Sequence, residues 1–409
     1  MSRARNWIYY STIAMVFGAA FYIKVGTFMF QSFYLLMLIN LWLMLLMKKL
    51  WAPKGLILFL AFLLGSGALG IFRHTDTIAR VAKEFTGVSV CAFYSCSFFR
   101  AIDFKLEEAF RLYAKMAYYV QIIGFFVYPF QYFLISPTRY HGIMGESSFI
   151  AYLGLPALYY YADCWQKERK NGKEILVLLL AFLLADSSTG FIGLAFGIFI
   201  FMMRYRRAII LIPFIISGFF LTVFSTSQFF QERAVDTYTI LTDASVNGTN
   251  LSTYVLYSNF HVMQLVLKEH PILGNGFNSH GESFLRYIGS IDTLGFEGTD
   301  YEDYNSEDAC SLGIRVASDF GLLGIFLMFG FIWRLRPRGH SELDVMRTAI
   351  WLYFFTKIVR GGVYFQNEQY FYICFYALAP MVLRMRAAHR LPAPNAPKTI
   401  SSPLRLATS

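Results

Sequence analysis

The sequence predicts an all-α polytopic membrane protein of about twelve transmembrane helices with one large external loop. Three observations carry that expectation. Of 409 residues, 56% are hydrophobic and only 15% charged, whereas soluble chains carry about 25% charge. Apolar runs long enough to cross a bilayer core recur along the chain. Lys and Arg fall in every second connection between them, as the positive-inside rule demands.

The runs are Trp7–Ile23, Thr27–Met47, Gly55–Phe72, Phe85–Phe99, Leu112–Ile135 and Ser147–Cys164. Ile175–Met203 is too long for one simple span and carries Asp186-Ser187-Ser188-Thr189-Gly190 at its middle, so it is read as two short helices meeting at a polar break. Ala208–Ser225, Ser311–Trp333, Met346–Arg360 and Val363–Leu383 complete the set. The first run follows a short basic segment and lacks a good small-residue cleavage site, so it reads as an anchor. The domain plan is therefore residues 1–225 with helices one to nine, a periplasmic loop at 226–310, helices ten to twelve at 311–384, and a disordered cytoplasmic tail at 385–409 rich in proline and serine.

With both termini inside, 24 of the 36 basic residues fall on inner segments. The net charge of +10 is then mostly a topology signal. A nucleic-acid partner would want one continuous basic face, which is absent. Thr226–Cys310 differs: it holds 12 acidic and 3 basic residues, a net −9 against +19 for the rest of the chain. A loop of that length usually carries a function. Within it, Thr253–Glu269 looks helical and His270–Phe277 forms a turn cluster. The five cysteines show neither metal spacing nor a disulfide framework. Walker A, H-E-x-x-H, G-x-S-x-G and Rossmann patterns are absent, which removes the ATPase, metalloprotease, serine-hydrolase and dinucleotide readings.

Ionisable residues at membrane depth are functional candidates by default. Arg139, His141, Glu146, Asp186, Arg315, Asp319, Lys357 and Arg360 all fall at or near the outer ends of expected helices. Brought to one cavity, they would suit an anionic substrate at the outer leaflet. Arg139–Ser148 opens a helix, whose N-terminus attracts anions beside a guanidinium able to grip phosphate. Arg139 could instead mark the interface while Glu146 caps the helix. Asp186 has two readings, a cavity-lining carboxylate or a cap for the helix starting at Ser188. Arg315 and Arg360 could hold a pyrophosphate or pair with Asp319 or Asp186. Lys357 could snorkel. In the loop, His270, His280, Glu282, Arg286, Glu307 and Asp308 are acid–base candidates, with Glu307 and Asp308 favoured because they adjoin the next helix. His261 reads as structural.

Four motifs in order resemble the O-antigen polymerase/ligase superfamily of bacterial cell envelopes. Arg139–Ser148 is similar to its "R-x-x-G … E-P-S" opening of a helix, with Ser147 where proline is common. Asp186-Ser187-Ser188-Thr189-Gly190 resembles its "S-R/T-G" break. His270-Pro271-Ile272-Leu273-Gly274-Asn275-Gly276-Phe277 resembles its "P-x-x-G-x-G" segment, and Ser318-Asp319-Phe320-Gly321-Leu322-Leu323-Gly324 its "E-x-G-L-x-G" late helix. The match spans roughly residues 130–335. Ligases of the superfamily carry a loop histidine in an "H-N-x-x-L" context. Asn305–Leu312 has none, which leans toward a polymerase.

The resemblance implies a GT-C-like glycosyltransferase in the bacterial inner membrane. It would move a growing glycan from undecaprenyl pyrophosphate to a sugar hydroxyl of the next lipid-linked repeat unit at the periplasmic face. Its partners would be the lipid-linked donor and acceptor, membrane lipid and a chain-length regulator protein. The lipid pyrophosphate stores the energy, so neither nucleotide, metal nor other cofactor is expected. On this reading Arg139, Arg315 and Arg360 bind pyrophosphate, Glu146, Asp186, Glu307 and Asp308 are the catalytic carboxylates, and His141 and His280 are further candidates. A ligase, or a transporter or flippase of lipid-linked sugars, is the alternative.

Overall fold

The computed structural model describes residues 3–18, 22–25, 28–134, 139–204, 210–242, 250–290 and 295–390. The expected tail from Leu391 onward lies outside the described residues. The fold is a helical bundle; ten of the eleven expected apolar runs each overlap one helix, and Ile175–Met203 falls on two. The helices are α1 (Arg3–Val16), α2 (Phe33–Leu46), α3 (Lys54–Phe72), α4 (Ile78–Ala101), α5 (Leu106–Leu134), α6 (Ser147–Glu168), α7 (Gly172–Ala185), α8 (Ser188–Arg204) and α9 (Ile212–Thr226), then α13 (Leu312–Arg334), α14 (Glu342–Val359) and α15 (Asn367–Arg390). The long loop supplies α10 (Gln228–Thr242), α11 (Leu251–Glu269) and α12 (His280–Tyr287).

Two departures from the expected plan concern the first two spans and the last. Between α1 and α2 stands an antiparallel hairpin, β1 (Tyr22–Val25) and β2 (Phe28–Gln31), so the chain is not wholly helical. Aromatic and β-branched residues fit a strand as well as a bilayer-spanning helix. At the other end, α15 continues to Arg390, past the expected bundle limit at 384.

Helix length divides the set. Among the described residues, α3 and α13 are long and apolar enough to cross a membrane, and the number rises to four if α4 with α5 and α9 with α10, bent by 114° and 106°, are each taken as one span. α1, α2 and α7 have 14 residues each, or about 21 Å of rise against the ~30 Å hydrocarbon core. The exterior is nonetheless apolar. Only 22% of the apolar window of α3 is buried, and Leu35, Leu38, Trp42, Leu45 and Leu46 of α2 are exposed. An apolar surface of this extent is compatible with a helical membrane protein.

α6 is the centre of the bundle. From Ile150 to Tyr161 it is buried on all sides, packed among α5, α7, α8 and α14, as expected of a helix that is apolar all round. At its C-terminal end the basic residues of the expected inner segments gather on acidic partners. Arg111 pairs with Glu342, Arg386 with Glu107, Lys49 with Asp103 (2.9 Å), and Lys167 and Arg204 with Asp163 (2.7 and 3.5 Å). The opposite end, about 30 Å away along the 22 residues of α6, carries the loop helices and the candidate site.

Candidate functional site

The four motifs quoted above meet in two pairs. In the first, Arg139–Ser148 lies against the α7–α8 break. The buried Tyr140 donates its backbone N–H to the Leu184 carbonyl (3.1 Å) and its hydroxyl bonds the Gln121 side chain (2.9 Å). That anchor brings Arg139 Nη1 to 3.4 Å from the Asp186 carbonyl, with its guanidinium over the Phe229 ring at 4.8 Å. Asp186 ends α7 at φ 43°, a left-handed geometry that aspartate tolerates. Its carboxylate does not cap α8. It accepts the Ser227 hydroxyl (2.5 Å) at the α9–α10 elbow, where Ser227 also caps Phe230 N (3.0 Å).

The elbow delivers a residue that sequence reasoning missed. Arg233 of α10 donates to Ser188 (3.0 Å) and Ser252 (3.1 Å), while its Nε is buried without a partner. It lies within electrostatic reach of Arg139, Arg360 and Asp186. Arg360 caps α14 through its backbone, and its guanidinium has no hydrogen-bond or ion-pair partner among the described residues. Three guanidiniums from three chain segments thus lie within electrostatic reach at Arg233, with Asp186 beside them. The cluster is half-buried and net positive, a chemistry suited to anions, and planar guanidiniums match phosphate oxygens. His141 stands beside it, its Nδ1 buried and unpartnered. Glu146 is exposed at the head of α6, within electrostatic reach of Lys357. Lys357 does not snorkel: it is 1% exposed, bonded to Gln366, 3.9 Å from Glu368 and 5.0 Å from the Tyr152 ring.

In the second pair the His270–Phe277 segment docks on Ser318–Gly324. Asn275 and Gly276 N–H groups donate to the Ser318 and Asp319 carbonyls (3.0 and 2.8 Å), and Leu322 and Leu323 N–H groups donate back to Pro271 and Ile272 (2.8 and 3.0 Å). Two glycines make this possible. Gly274 has φ +61°, and Gly321 breaks α13 at φ 61°, ψ −155°, a region open to glycine alone. A Cβ on Gly321 would stand 2.6 Å from the Gly274 N and the Ile272 carbonyl.

The break turns Asp319 into a buried hub. Its carboxylate accepts the backbone N–H groups of Asn278 and His280 (both 3.0 Å), the Ser279 hydroxyl (3.3 Å) and the Tyr364 hydroxyl (3.0 Å). Arg315, one turn earlier, pairs with Glu84 (3.1 Å), donates to Asn278 Oδ1 (2.8 Å) and the Gly362 carbonyl (3.0 Å), and lies over Tyr364 at 4.0 Å. Arg315 therefore does not join Arg139 and Arg360. It serves the second network, and its partner Glu84 fell just before an expected apolar run.

His280 is fully buried. Asn259 Nδ2 donates to the Val255 carbonyl, leaving its Oδ1 to accept from His280 Nε2 (2.8 Å). Burial and the nearby Arg315 charge push the imidazole down to about 3, so it is neutral at physiological pH. A neutral ring with no exposed surface is out of reach of an incoming hydroxyl, which removes His280 from the acid–base set. Burial also lowers His261 and His270. Glu307 is exposed, 3.7 Å from Arg80 Nη2. Asp308 caps the backbone of Cys310 (2.9 Å) and is felt by both Lys357 and Arg315. Cys310 in turn is felt by Arg233 and Arg360. The stretch from Glu307 to Cys310 therefore joins the two networks within about 11 Å of extended chain. The Arg360–Gln366 connection joins them again, since Gly361 N donates to the Cys310 carbonyl (2.6 Å). Among the described residues no group of His, Cys, Asp or Glu could hold a metal ion.

No family model and no curated protein matches this chain.

Proposed function

We propose that the chain is a polymerase of lipid-linked oligosaccharide repeat units, crossing the bacterial inner membrane about twelve times with both termini inside. The observation that supports it is the clustering of Arg139 and Arg360 within electrostatic reach of Arg233, beside Asp186, at the end of the bundle that carries the acidic loop. In this reaction the acceptor hydroxyl oxygen forms a bond to the anomeric carbon of the growing glycan. The bond from that carbon to the undecaprenyl pyrophosphate oxygen breaks. The hydroxyl proton passes to a carboxylate, and the pyrophosphate leaves as an anion. Guanidiniums aimed at that leaving group act where charge develops, which is where electrostatic stabilisation is most effective. Asp308, between the arginine cluster and the Arg315 network, is the best placed base. Glu146 lies within electrostatic reach of Lys357 and Cys310, and Asp186, held by Ser227, offers its backbone carbonyl to Arg139.

Deleting the gene tests the reading. The deletion strain should carry single repeat units in place of long glycan chains. An Arg139→Ala protein that inserts normally should give the same product. Unaltered chain lengths in the deletion strain would refute it. A second reading, a transporter of lipid-linked sugars, draws on the helix breaks at Asp186 and Gly321, since broken helices are common in transporters. It predicts loss of all external glycan on deletion, single units included.

A further inference from the structure

Beside the Asp319 network lies a cavity of about 700 Å³, lined by α4, α12, the 303–308 segment and the α14–α15 connection. Its size falls within the range of small-molecule sites and exceeds what one sugar ring needs. Its electrostatics are unlike those of the arginine cluster. Arg80, Lys83 and Arg315 face Glu84, Asp303, Glu307 and Asp308. Arg315 is spent on Glu84 (3.1 Å), and Arg80 is shared among Asp76, Glu282 and Glu307. Lys83 is exposed and has no ion-pair partner among the described residues, but three cations face four carboxylates, so the lining as a whole carries no excess positive charge to hold a phosphate or a uronate.

The rest of the lining includes the amides of Asn278 and Asn305, the Ser306 hydroxyl and the rings of Tyr304 and Phe365, beside Gly281 and the aliphatic Leu285 and Val363. Tyr304 is 49% exposed and offers its ring to a ligand rather than to the core. One buried donor, Arg315 Nε, has no hydrogen-bond acceptor among the described residues and stands 3.9 Å from the Asp319 carboxylate, beyond hydrogen-bond range. A buried N–H left unpaired at a cavity wall calls for an acceptor from outside the chain.

We infer that this cavity is a saccharide site for uncharged sugar rings, separate from the anion-binding arginines and joined to them through Asp308. Carboxylates and amides take the hydroxyl protons, Arg315 Nε gives one hydrogen bond to a ring substituent, and Tyr304 covers an apolar sugar face. The inference rests on the reading of the chain as one that acts on glycans. It goes further by dividing the site into an anion-binding part and an uncharged-sugar part.

The test is saturation-transfer NMR on the full-length protein in nanodiscs with three probes: chitotetraose, maltotetraose and tetragalacturonate. At least one of the uncharged probes should bind saturably, and the anionic probe at least tenfold more weakly. Tyr304→Ala should weaken binding at least tenfold, and Glu307→Ala, at a side chain 82% exposed, should weaken it several-fold. Arg139→Ala should leave it unchanged. No saturable binding of either uncharged probe, a preference for tetragalacturonate, or indifference to both cavity variants would overturn the inference. Failure of the gene-deletion test with binding intact would instead remove the polymerase reading and leave the saccharide site standing.

Discussion

Replacing Arg315 probes the second network where its consequences are largest. The guanidinium is 3% exposed, and Glu84 and Asp319, at 6% and 0%, depend on its charge. Arg315→Met keeps the stem and removes the charge, leaving two carboxylates buried without their cation. Breaking a buried pair in this way costs about 3–5 kcal/mol, a large fraction of the ~5–15 kcal/mol that holds a domain together. Glu84→Gln leaves the guanidinium its Asn278 and Gly362 bonds and should cost less, about 1–3 kcal/mol. The double variant should lose no more than Arg315→Met alone, since the lost pair is shared by both changes. Arg315→Lys should recover only part, because an ammonium cannot reproduce the planar fork that reaches Glu84, Asn278 and Gly362. Equilibrium unfolding in mixed micelles measures each value. A loss below about 1 kcal/mol for Arg315→Met, or strictly additive losses in the double variant, would refute a network held by this cation.

Gly321→Ala should cost more than about 3 kcal/mol, from strained dihedrals together with overlap on the 272–274 backbone; wild-type stability in the same unfolding assay would contradict the break in α13. Cys96 and Cys374 hold their sulfurs 3.4 Å apart across α4 and α15. Copper phenanthroline in the bilayer should join these two cysteines of the five and take two hydrogens from the intact mass; a different pairing by peptide mapping would contradict that helix contact. His280, pushed down to about 3 by burial, stays neutral in the fold while the unfolded chain takes up a proton below its ordinary ~6.5. The unfolded state then binds more protons, so stability is full above pH 6.5 and falls on acidification, by about 2 kcal/mol between pH 6.5 and 5. His280→Gln should lack that share of the slope, and identical slopes would show that the imidazole titrates in the folded state.

The helices were legible because apolar length and charge punctuation are local properties. The α7–α8 break at Asp186 followed from a polar knot in an overlong run, and α11 from the pattern over 253–269. The hairpin at 22–31 was not legible, since Tyr, Ile, Val and Phe suit a strand and a bilayer alike. α10 and α12 were hidden in a segment whose polar composition resembles a loop. Within the site, Arg139, Asp186 and Arg360 stood out as charges at the ends of apolar runs. Arg233 carried no such mark. Its only signal was a rare positive charge in an acidic segment, and the sharp α9–α10 elbow that brings it to Asp186 is a tertiary feature. Arg315 was recognisable as a buried charge, but its partner Glu84 is 231 residues away in sequence. Only the fold shows that the pair belongs to a different network from Arg139 and Arg360.

On the proposed reaction, the guanidiniums of Arg139, Arg233 and Arg360 stabilise a leaving pyrophosphate. Arg233→Ala tests this role most directly, because that residue entered the site through the fold and not through the motifs. A charge-assisted hydrogen bond of this kind contributes about 1.5–3 kcal/mol, so its loss should slow polymerisation roughly ten- to a hundredfold. Electrophoresis of the cell's glycan at normal protein level should then show the long-chain ladder collapsed toward single repeat units. A wild-type ladder from Arg233→Ala would contradict the account.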